Sequence, residues 1–266
     1  MRQVQVVAHR GSSGTYPEHT LAAFEAAVAE GADALECDVR LTRDGVLVCV
    51  HDRRVDRTSN GRGLVSTLEL ADLAELDFAS WKRGAAPADA TGQEAPDLDA
   101  GRVLTLDRLL QLVVDAGSPV QLHVETKHPT RYGGQVERAL LQLLDRYGLA
   151  RPPSRAESRI YVVSYALSSL RRVHLAAPTI PTVINTDLVL PWLHAGRLPP
   201  RVAGVGVALR AVRARPGFVR RVQAQRRRVH VFTVDEPGDV DFVAGLGVDA
   251  IISNRPTQVL ERLATI

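Results

Sequence analysis

The chain has 266 residues, of which 45% are hydrophobic and 24% are charged, a composition typical of folded globular proteins and unlike that of disordered or fibrous chains. Its 33 basic and 30 acidic residues leave a formal net charge of only +3, which argues against nucleic-acid binding through bulk charge. There is no apolar run of the roughly 18 residues that a membrane span needs, and no apolar stretch of a signal peptide, so we expect a cytoplasmic protein without a stable membrane anchor.

Short apolar runs rich in Val and Ile alternate along the chain with longer segments of helical periodicity. This pattern is typical of βα units that build a parallel sheet. Eight such runs predict an α/β fold with eight parallel strands, a single (β/α)8 or TIM barrel, and we take residues 1–266 as one domain. The predicted strands are 4–9, 34–39, 119–126, 160–164, 181–186, 202–208, 229–234 and 248–253.

Amphipathic segments between these strands predict the outer helices of the barrel, because their apolar residues recur on one helical face. Such segments lie at 20–30, 106–116, 134–147 and 168–176. A further strand-like run at 46–51 follows the turn signal Asp44-Gly45. We interpret it as the return arm of a hairpin with the second strand, outside the barrel count.

The connection between the second and third barrel strands is unusually long. It holds short helical pieces near 68–76 and an Ala/Asp/Gly/Pro-rich stretch at 84–101. Connections of this length in a compact domain are usually functional excursions or lids. We therefore predict an insertion at 40–104, after the second strand.

Ionisable residues fall near the C-terminal ends of the first three barrel strands, where the active sites of such barrels lie. Burying a charge there is costly unless it is paired or bound to metal. Strand alternation places Glu36 and Asp38 on one side of the second strand, and Glu125 and Lys127 on one side of the third. The predicted hairpin returns His51 to the mouth of the second strand.

Three acidic oxygen donors, Glu36, Asp38 and Glu125, indicate a site for a hard divalent cation, Mg²⁺ or Ca²⁺, rather than zinc. Beside them stand two cations able to hold a phosphate and two histidines able to move protons near neutral pH. This combination favours hydrolysis of a phosphate ester. The cations are Arg10 and Lys127, and the histidines are His9 and His51.

Each of these features has a structural alternative. The carboxylates could form an ion-pair network that only stabilises the barrel. His123 is either a filler of the barrel interior or a partner of Glu125. The basic run of Arg220, Arg221, Arg226, Arg227 and Arg228 is interpreted as a solvated face, with a patch for an anionic membrane or nucleic acid as the alternative. Cys37 and Cys49 allow at most one bridge and are interpreted as small core residues.

With these residues in place, the chain resembles the glycerophosphodiester phosphodiesterase family. The matching motifs occur in family order across nearly the whole sequence. They are His-Arg-Gly at 9–11, Pro-Glu-His-Thr at 17–20, Glu-Cys-Asp-Val at 36–39, Thr-Arg-Asp-Gly at 42–45, His-Asp at 51–52, Arg-Thr at 57–58, Val-Glu-Thr-Lys at 124–127 and Ile-Ile-Ser-Asn-Arg-Pro at 251–256.

The resemblance implies hydrolysis of glycerophosphodiesters, which are deacylated phospholipids, to glycerol 3-phosphate and an alcohol. It assigns metal binding to the three carboxylates, phosphate contacts to the two cations and acid-base catalysis to the two histidines. It also makes 40–104 the family's characteristic insertion over the barrel mouth. A small-molecule substrate of lipid and glycerol metabolism is therefore expected, and the oligomeric state stays open.

Two residues depart from the family pattern. The family commonly has Asn where this chain has His19, and Trp where this chain has Phe232, which leaves the substrate preference open. One alternative function is a lysophospholipase D, whose apolar groove Phe78, Trp81 and Trp192 could supply. Another is a catalytically silent barrel that binds phosphorylated ligands.

Overall fold

The structure, a computed structural model, describes residues 4–82, 101–117, 119–189 and 191–266, without the side chain of Trp192. Its strands are β1 (Gln5–His9), β2 (Ala34–Leu41), β3 (Leu47–Cys49), β4 (Gln121–Thr126), β5 (Ile160–Ser164), β6 (Thr182–Thr186), β7 (Gly204–Ala208), β8 (Arg228–Phe232) and β9 (Ala250–Ser253). Within these ranges all strands except β3 pair in parallel, and β1 closes the ring by pairing with both β2 and β9. The predicted (β/α)8 barrel is confirmed.

The helices lie between the strands, as the periodicity predicted. They are α1 (Leu21–Ala29), α2 (Leu70–Ala74), α3 (Leu106–Asp115), α4 (Gln135–Arg146), α5 (Leu167–Ala176), α6 (Leu209–Ala214), α7 (Gly217–Gln223), α8 (Pro237–Gly245) and α9 (Pro256–Leu263). Threonine side chains cap the N-termini of two of them. The Thr20 side chain accepts a hydrogen bond from the Ala23 amide before α1, and the Thr105 side chain accepts one from the Arg108 amide before α3. Among the described residues, no helix combines the length and apolar character needed to cross a membrane, and the cytoplasmic location stays a prediction.

The main hydrophobic core lies between the strands and the surrounding helices. On β2 the residues Leu35, Cys37 and Val39 are fully buried in this core. Because strand side chains alternate, the residues between them face the barrel interior. Cys37 and Cys49 are both buried with free thiols, as predicted for small core residues.

The predicted hairpin is present, since β2 and β3 pair antiparallel with Val39 opposite Cys49. Behind it the insertion has a small core of its own, which includes Val55, Leu73 and Phe78. Phe78 is only 6% exposed, so its assignment to an apolar substrate groove is wrong: packing within the insertion buries its ring. Residues 83–100 lie outside the described ranges, so the extent of the insertion stays a prediction.

Aromatic and cationic side chains fill the barrel interior below the strand ends. The ring of His123 is fully buried, with its centre 4.7 Å from that of Tyr161 and 5.2 Å from that of His230. This packing favours the filler interpretation of His123. Arg228 donates a hydrogen bond to the Tyr161 hydroxyl. The prediction of a solvated face is therefore wrong for Arg228, because the alternation of side chains along β8 directs it into the barrel. Arg220 on α7 is exposed, as predicted.

Candidate active site

The predicted site residues converge at the C-terminal ends of the strands. The strand register explains why, because His9 pairs with Glu36 and Asp38 pairs with Glu125 in neighbouring layers. A cavity of about 240 Å³ opens here, and His51 also lines it. A larger cavity of about 410 Å³ lies outside the barrel against α4 and α5, away from the strand ends. The predicted residues lining the smaller cavity are His9, Arg10, Glu36, His51, Glu125 and Lys127.

Three buried carboxylates form the acidic part of the site. Glu36, Asp38 and Glu125 each offer one oxygen, and these atoms lie within 4.8 Å of one another. Burial, together with the charge of Asp38, raises the pKa of Glu36 well above its ordinary value and the pKa of Glu125 to about 7. Burial also raises the pKa of Asp38, but the charges of Lys127 and Arg10 outweigh it and lower that pKa. This acidic cluster could hold a metal ion.

Two cations lie against the carboxylates without balancing them. Lys127 Nζ lies 2.8 Å from Asp38 Oδ1 and 2.6 Å from Glu125 Oε1, and Arg10 Nε lies 3.0 Å from Asp38 Oδ2. The ion pairs of the structural alternative are therefore present. They leave Glu36 without a lysine or arginine side chain as partner in the described part of the chain, and the buried Asp38 Oδ2 accepts no hydrogen bond there. Both observations fit a further cation at this cluster.

His9 is oriented by an amide and a carboxylate. Its Nδ1 lies 2.7 Å from Asn254 Oδ1, while Asn254 Nδ2 donates to Asp235 Oδ2 at 2.7 Å. Because a carboxylate only accepts, the amide oxygen must face His9, and Nδ1 is the protonated ring nitrogen. Nε2 is then the acceptor, 4.0 Å from Glu36 Oε2. Burial and the charge of Arg10 lower the pKa of His9 to about 4, so its ring is neutral near pH 7.

His51 has a different partner, the carboxylate of Asp52. Its Nδ1 lies 2.6 Å from Asp52 Oδ1, which fixes the proton on Nδ1 and leaves Nε2 for the cavity. The carbonyl oxygen of His51 accepts from Arg40 Nε and Nη2 at 3.0 and 2.7 Å, so a residue of β2 positions the backbone. Burial lowers the pKa of His51, with the charge of Asp38 opposing the shift.

His19, the third histidine, holds the backbone of β2. Its Nε2 accepts the Asp38 amide at 3.0 Å, so the ring proton must lie on Nδ1. Burial lowers the pKa of His19 to about 3, despite the opposing charge of Asp38, and the ring is neutral. His19 has a positive φ of 61°, a conformation in which Asn is also enriched. An Asn at this position could supply the same acceptor.

Sequence reasoning gave no role to Asn185 or to the Asn254-Asp235 pair. Asn185 Nδ2 donates to Glu125 Oε2 at 3.0 Å. Its side chain fits because Gly206 lies opposite on β7, where a Cβ would come within 2.0 Å of Asn185 Oδ1. Two signals in the sequence could have indicated these residues. Asn185 is a polar residue in β6 beside the Gly-x-Gly sequence of β7, and Asn254 is an asparagine at a strand end within a family motif.

Comparisons with known proteins agree with this fold. Residues 9–258 match the model of the Glycerophosphoryl diester phosphodiesterase family. A Mycobacterium tuberculosis protein named probable glycerophosphodiester phosphodiesterase 1 is 47% identical over 94% of this chain and 89% of its own length. A Bacillus subtilis glycerophosphodiester phosphodiesterase is 31% identical over 96% of this chain and 84% of its own.

A solved structure shares the architecture. It is that of a phosphodiesterase from Oleispira antarctica in complex with the product sn-glycerol-3-phosphate. It superimposes with a TM-score of 0.79 at 24% identity, over 98% of this chain and 96% of its own. At that identity the likeness bears on the fold.

Proposed function

The chain belongs to the glycerophosphoryl diester phosphodiesterase family, and from this premise we propose that it hydrolyses glycerophosphodiesters to glycerol 3-phosphate and an alcohol. The observation that carries the proposal is the meeting of three buried carboxylates, two cations and two histidines at the strand ends, where all of them except Asp38 line one cavity. The names of the mycobacterial and Bacillus relatives support the reaction class. The product bound to the Oleispira protein supports a small glycerol phosphate ester as ligand.

We infer that Glu36, Asp38 and Glu125 hold a divalent cation, Mg²⁺ or Ca²⁺. The electrostatics of the cluster support this: two permanent cations face three buried carboxylates, and burial together with the charge of Asp38 raises the pKa of Glu36 and Glu125. A further cation would stabilise all three in their charged form. A divalent cation, when bound, supplies positive charge to the phosphoryl oxygens. All three ligands are oxygen donors, which suits these two ions.

Arg10 and Lys127 are the proposed phosphate contacts. Both line the cavity while they touch the carboxylates. Arg10 has five N–H donors, of which Nη1 bonds Glu18, so its guanidinium keeps donors for a phosphate oxygen. The ammonium of Lys127 has three donors, and two carboxylate oxygens take two of them.

The two histidines divide the proton transfers in this proposal. His9 is neutral near pH 7 and keeps Nε2 unprotonated, so it accepts the proton of the nucleophile. The nucleophile is a water molecule, which gives glycerol 3-phosphate directly, or the neighbouring glycerol hydroxyl, which gives a cyclic phosphate that water then opens. In either case its oxygen forms the new bond to phosphorus. His51 is the proposed proton donor. The hydrogen bond to Asp52 stabilises its imidazolium form against the opposing effect of burial, and in that form Nε2 gives a proton to the alcohol as its bond to phosphorus breaks.

A substrate panel tests the proposal. Purified protein with Mg²⁺ or Ca²⁺ is given the glycerophosphodiesters of choline, ethanolamine, glycerol and inositol, and lysophosphatidylcholine in parallel. The phosphate monoester that each releases is measured, which is glycerol 3-phosphate from the diesters and lysophosphatidic acid from the lysolipid. We expect release of glycerol 3-phosphate from the water-soluble diesters. Preferential cleavage of the lysolipid would support the lysophospholipase D instead. Binding without turnover of any substrate would support the silent barrel and refute the proposal.

A further inference from the structure

Oppositely charged side chains connect the proposed phosphate site to the proposed proton donor. Glu18 lies at the middle of this connection: it accepts Arg10 Nη1 at 2.9 Å, and Arg57 Nη1 and Nη2 at 2.9 and 2.7 Å. One carboxylate thus holds a guanidinium of the β1–α1 loop and one of the insertion. Burial raises the pKa of Glu18, but the hydrogen bond from Arg57 and the charge of Arg10 outweigh it and hold this pKa at about 2. Glu18 is therefore charged at neutral pH.

Arg57 has a second carboxylate partner. Its Nε donates to Asp52 Oδ2 at 2.7 Å, while Asp52 Oδ1 lies 2.6 Å from His51 Nδ1. With both oxygens engaged, the Asp52 carboxylate cannot rotate without breaking one contact. Arg57 thereby sets the plane in which Asp52 meets the imidazole. Charge-assisted bonds from a guanidinium fork hold such geometry better than neutral ones.

The surroundings of Arg57 distinguish it from an isolated surface ion pair, a type that contributes little to stability. Its side chain is 44% exposed, but its guanidinium carbon lies 5.9 Å from the ring centre of Trp81. The Trp81 indole donates to the carbonyl of Phe78 at 2.9 Å, and Phe78 is buried in the core of the insertion. The insertion therefore supports the guanidinium through this aromatic contact while two carboxylates bind its edges.

We propose that Arg57 is a positioning residue, which orients His51 through Asp52 and fixes that histidine relative to Arg10 through Glu18. This rests on the proposed function, because it takes His51 as the proton donor to the leaving alcohol. Without the guanidinium, Asp52 is free to turn and His51 loses the contact that defines its tautomer. The effect of losing Arg57 then falls mainly on the step in which the leaving oxygen is protonated, because Arg10 keeps its own contacts with Glu18 and Asp38.

The first test compares leaving groups. Arg57→Gln is assayed on glycerophosphocholine, whose alkoxide needs a proton, and on the glycerophosphodiester of p-nitrophenol, whose phenolate departs without one. We expect kcat to fall about 10-fold or more on the first and less than about 3-fold on the second. Arg54→Gln is the matched control, because Arg54 holds Asp56 through two contacts of 3.1 and 3.2 Å outside this connection. Equal losses on both substrates, or no loss on the choline ester, would overturn the proposal.

The second test needs no turnover. Nitrogen chemical shifts of ring-labelled histidine, assigned with His51→Ala, report which nitrogen of His51 is protonated. The spectra are recorded at a pH where the ring of His51 is neutral. We expect the proton on Nδ1 alone in the unaltered protein and in Arg54→Gln, and a mixture of both tautomers in Arg57→Gln. An unchanged tautomer in Arg57→Gln contradicts the positioning role. A protein inactive on both diesters refutes the proposed function, while the spectra still decide whether Arg57 acts on His51.

Discussion

At the scale of single residues, the two proposed catalytic histidines differ in what holds them. His9 faces an amide oxygen and His51 faces a carboxylate. We expect His9→Ala and His51→Ala each to lower turnover by about two or more orders of magnitude, because general acid-base catalysis contributes on that order. Far-UV circular dichroism checks that the fold is intact, and His174→Ala on α5 serves as the control. Turnover near that of the unaltered protein in His51→Ala would mean that another group is the acid.

His19 gives a second prediction at this scale. Its Nε2 accepts the Asp38 amide, and it stands at a positive φ that Asn also adopts. His19→Asn should therefore keep turnover within about threefold, while His19→Ala should lose about 1–3 kcal/mol of unfolding free energy, because a buried amide then has no acceptor. Chemical denaturation and initial rates measure the two effects. If His19→Asn abolishes turnover while it remains folded, His19 acts in the chemistry.

The sequence predicted the residue types of the site but only part of its connectivity. Alternation along β2 and β4 was enough to bring Glu36, Asp38 and Glu125 together, because register within a barrel follows from the strand pattern. The partners Asn254 and Asp235 could not be predicted that way. They come from loops after β9 and β8, whose conformations depend on tertiary contacts that periodicity does not encode.

At the scale of elements, the insertion is expected to select the alcohol. Its described part packs around its own core, so replacing 84–100 by a short Gly/Ser linker should leave Val55, Leu73 and Phe78 in place. We expect the ranking of choline, ethanolamine, glycerol and inositol diesters to change more than the metal dependence does. A similar linker at 151–157, which precedes β5 at the opposite end of the barrel, is the control. An unchanged ranking would show that this stretch is no selective lid.

Glu137 on α4 gives a prediction about stability and pH. Its Oε1 lies 2.9 Å from His128 Nε2 and 3.3 Å from Arg172 Nη1. Burial raises its pKa, but the hydrogen bonds from His128 and Ser169 outweigh burial and lower it from 4.5 to about 2. A carboxyl group whose pKa is lowered by folding stabilises the fold at pH values above its pKa in the unfolded chain. This contribution disappears as the pH falls from about 4.5 toward 2.

We therefore expect Glu137→Gln to lose about 2–3 kcal/mol of unfolding free energy at pH 7, and the difference from the unaltered protein to shrink below pH 4.5. Urea denaturation at several pH values measures it, with the exposed Glu25→Gln on α1 as the control. A difference that stays constant with pH would show that the carboxylate charge is not the cause.

At the scale of the whole molecule, the alternation of strand and helix patterns was enough to predict a closed barrel. The predicted strand at 160–164 matches β5, because a run rich in Ile and Val in a parallel sheet carries a strong signal. The prediction at 34–39 covers most of β2, in which apolar and acidic residues alternate. The glycine-containing strand β7 begins at Gly204, two residues after its predicted start at 202. The solvated-face prediction failed for Arg228 because the sequence does not show that a charged residue at the start of a strand contacts the hydroxyl of the buried Tyr161.

We propose that the barrel as a whole hydrolyses glycerophosphodiesters with a divalent cation held by Glu36, Asp38 and Glu125. The most direct measurement is release of glycerol 3-phosphate from glycerophosphocholine by protein that has been demetallated and kept in excess chelator, followed by titration with Mg²⁺ or Ca²⁺. We expect a loss of about 100-fold or more that the added cation restores, and no restoration in Glu36→Gln. Full hydrolysis by the demetallated protein in excess chelator would contradict it.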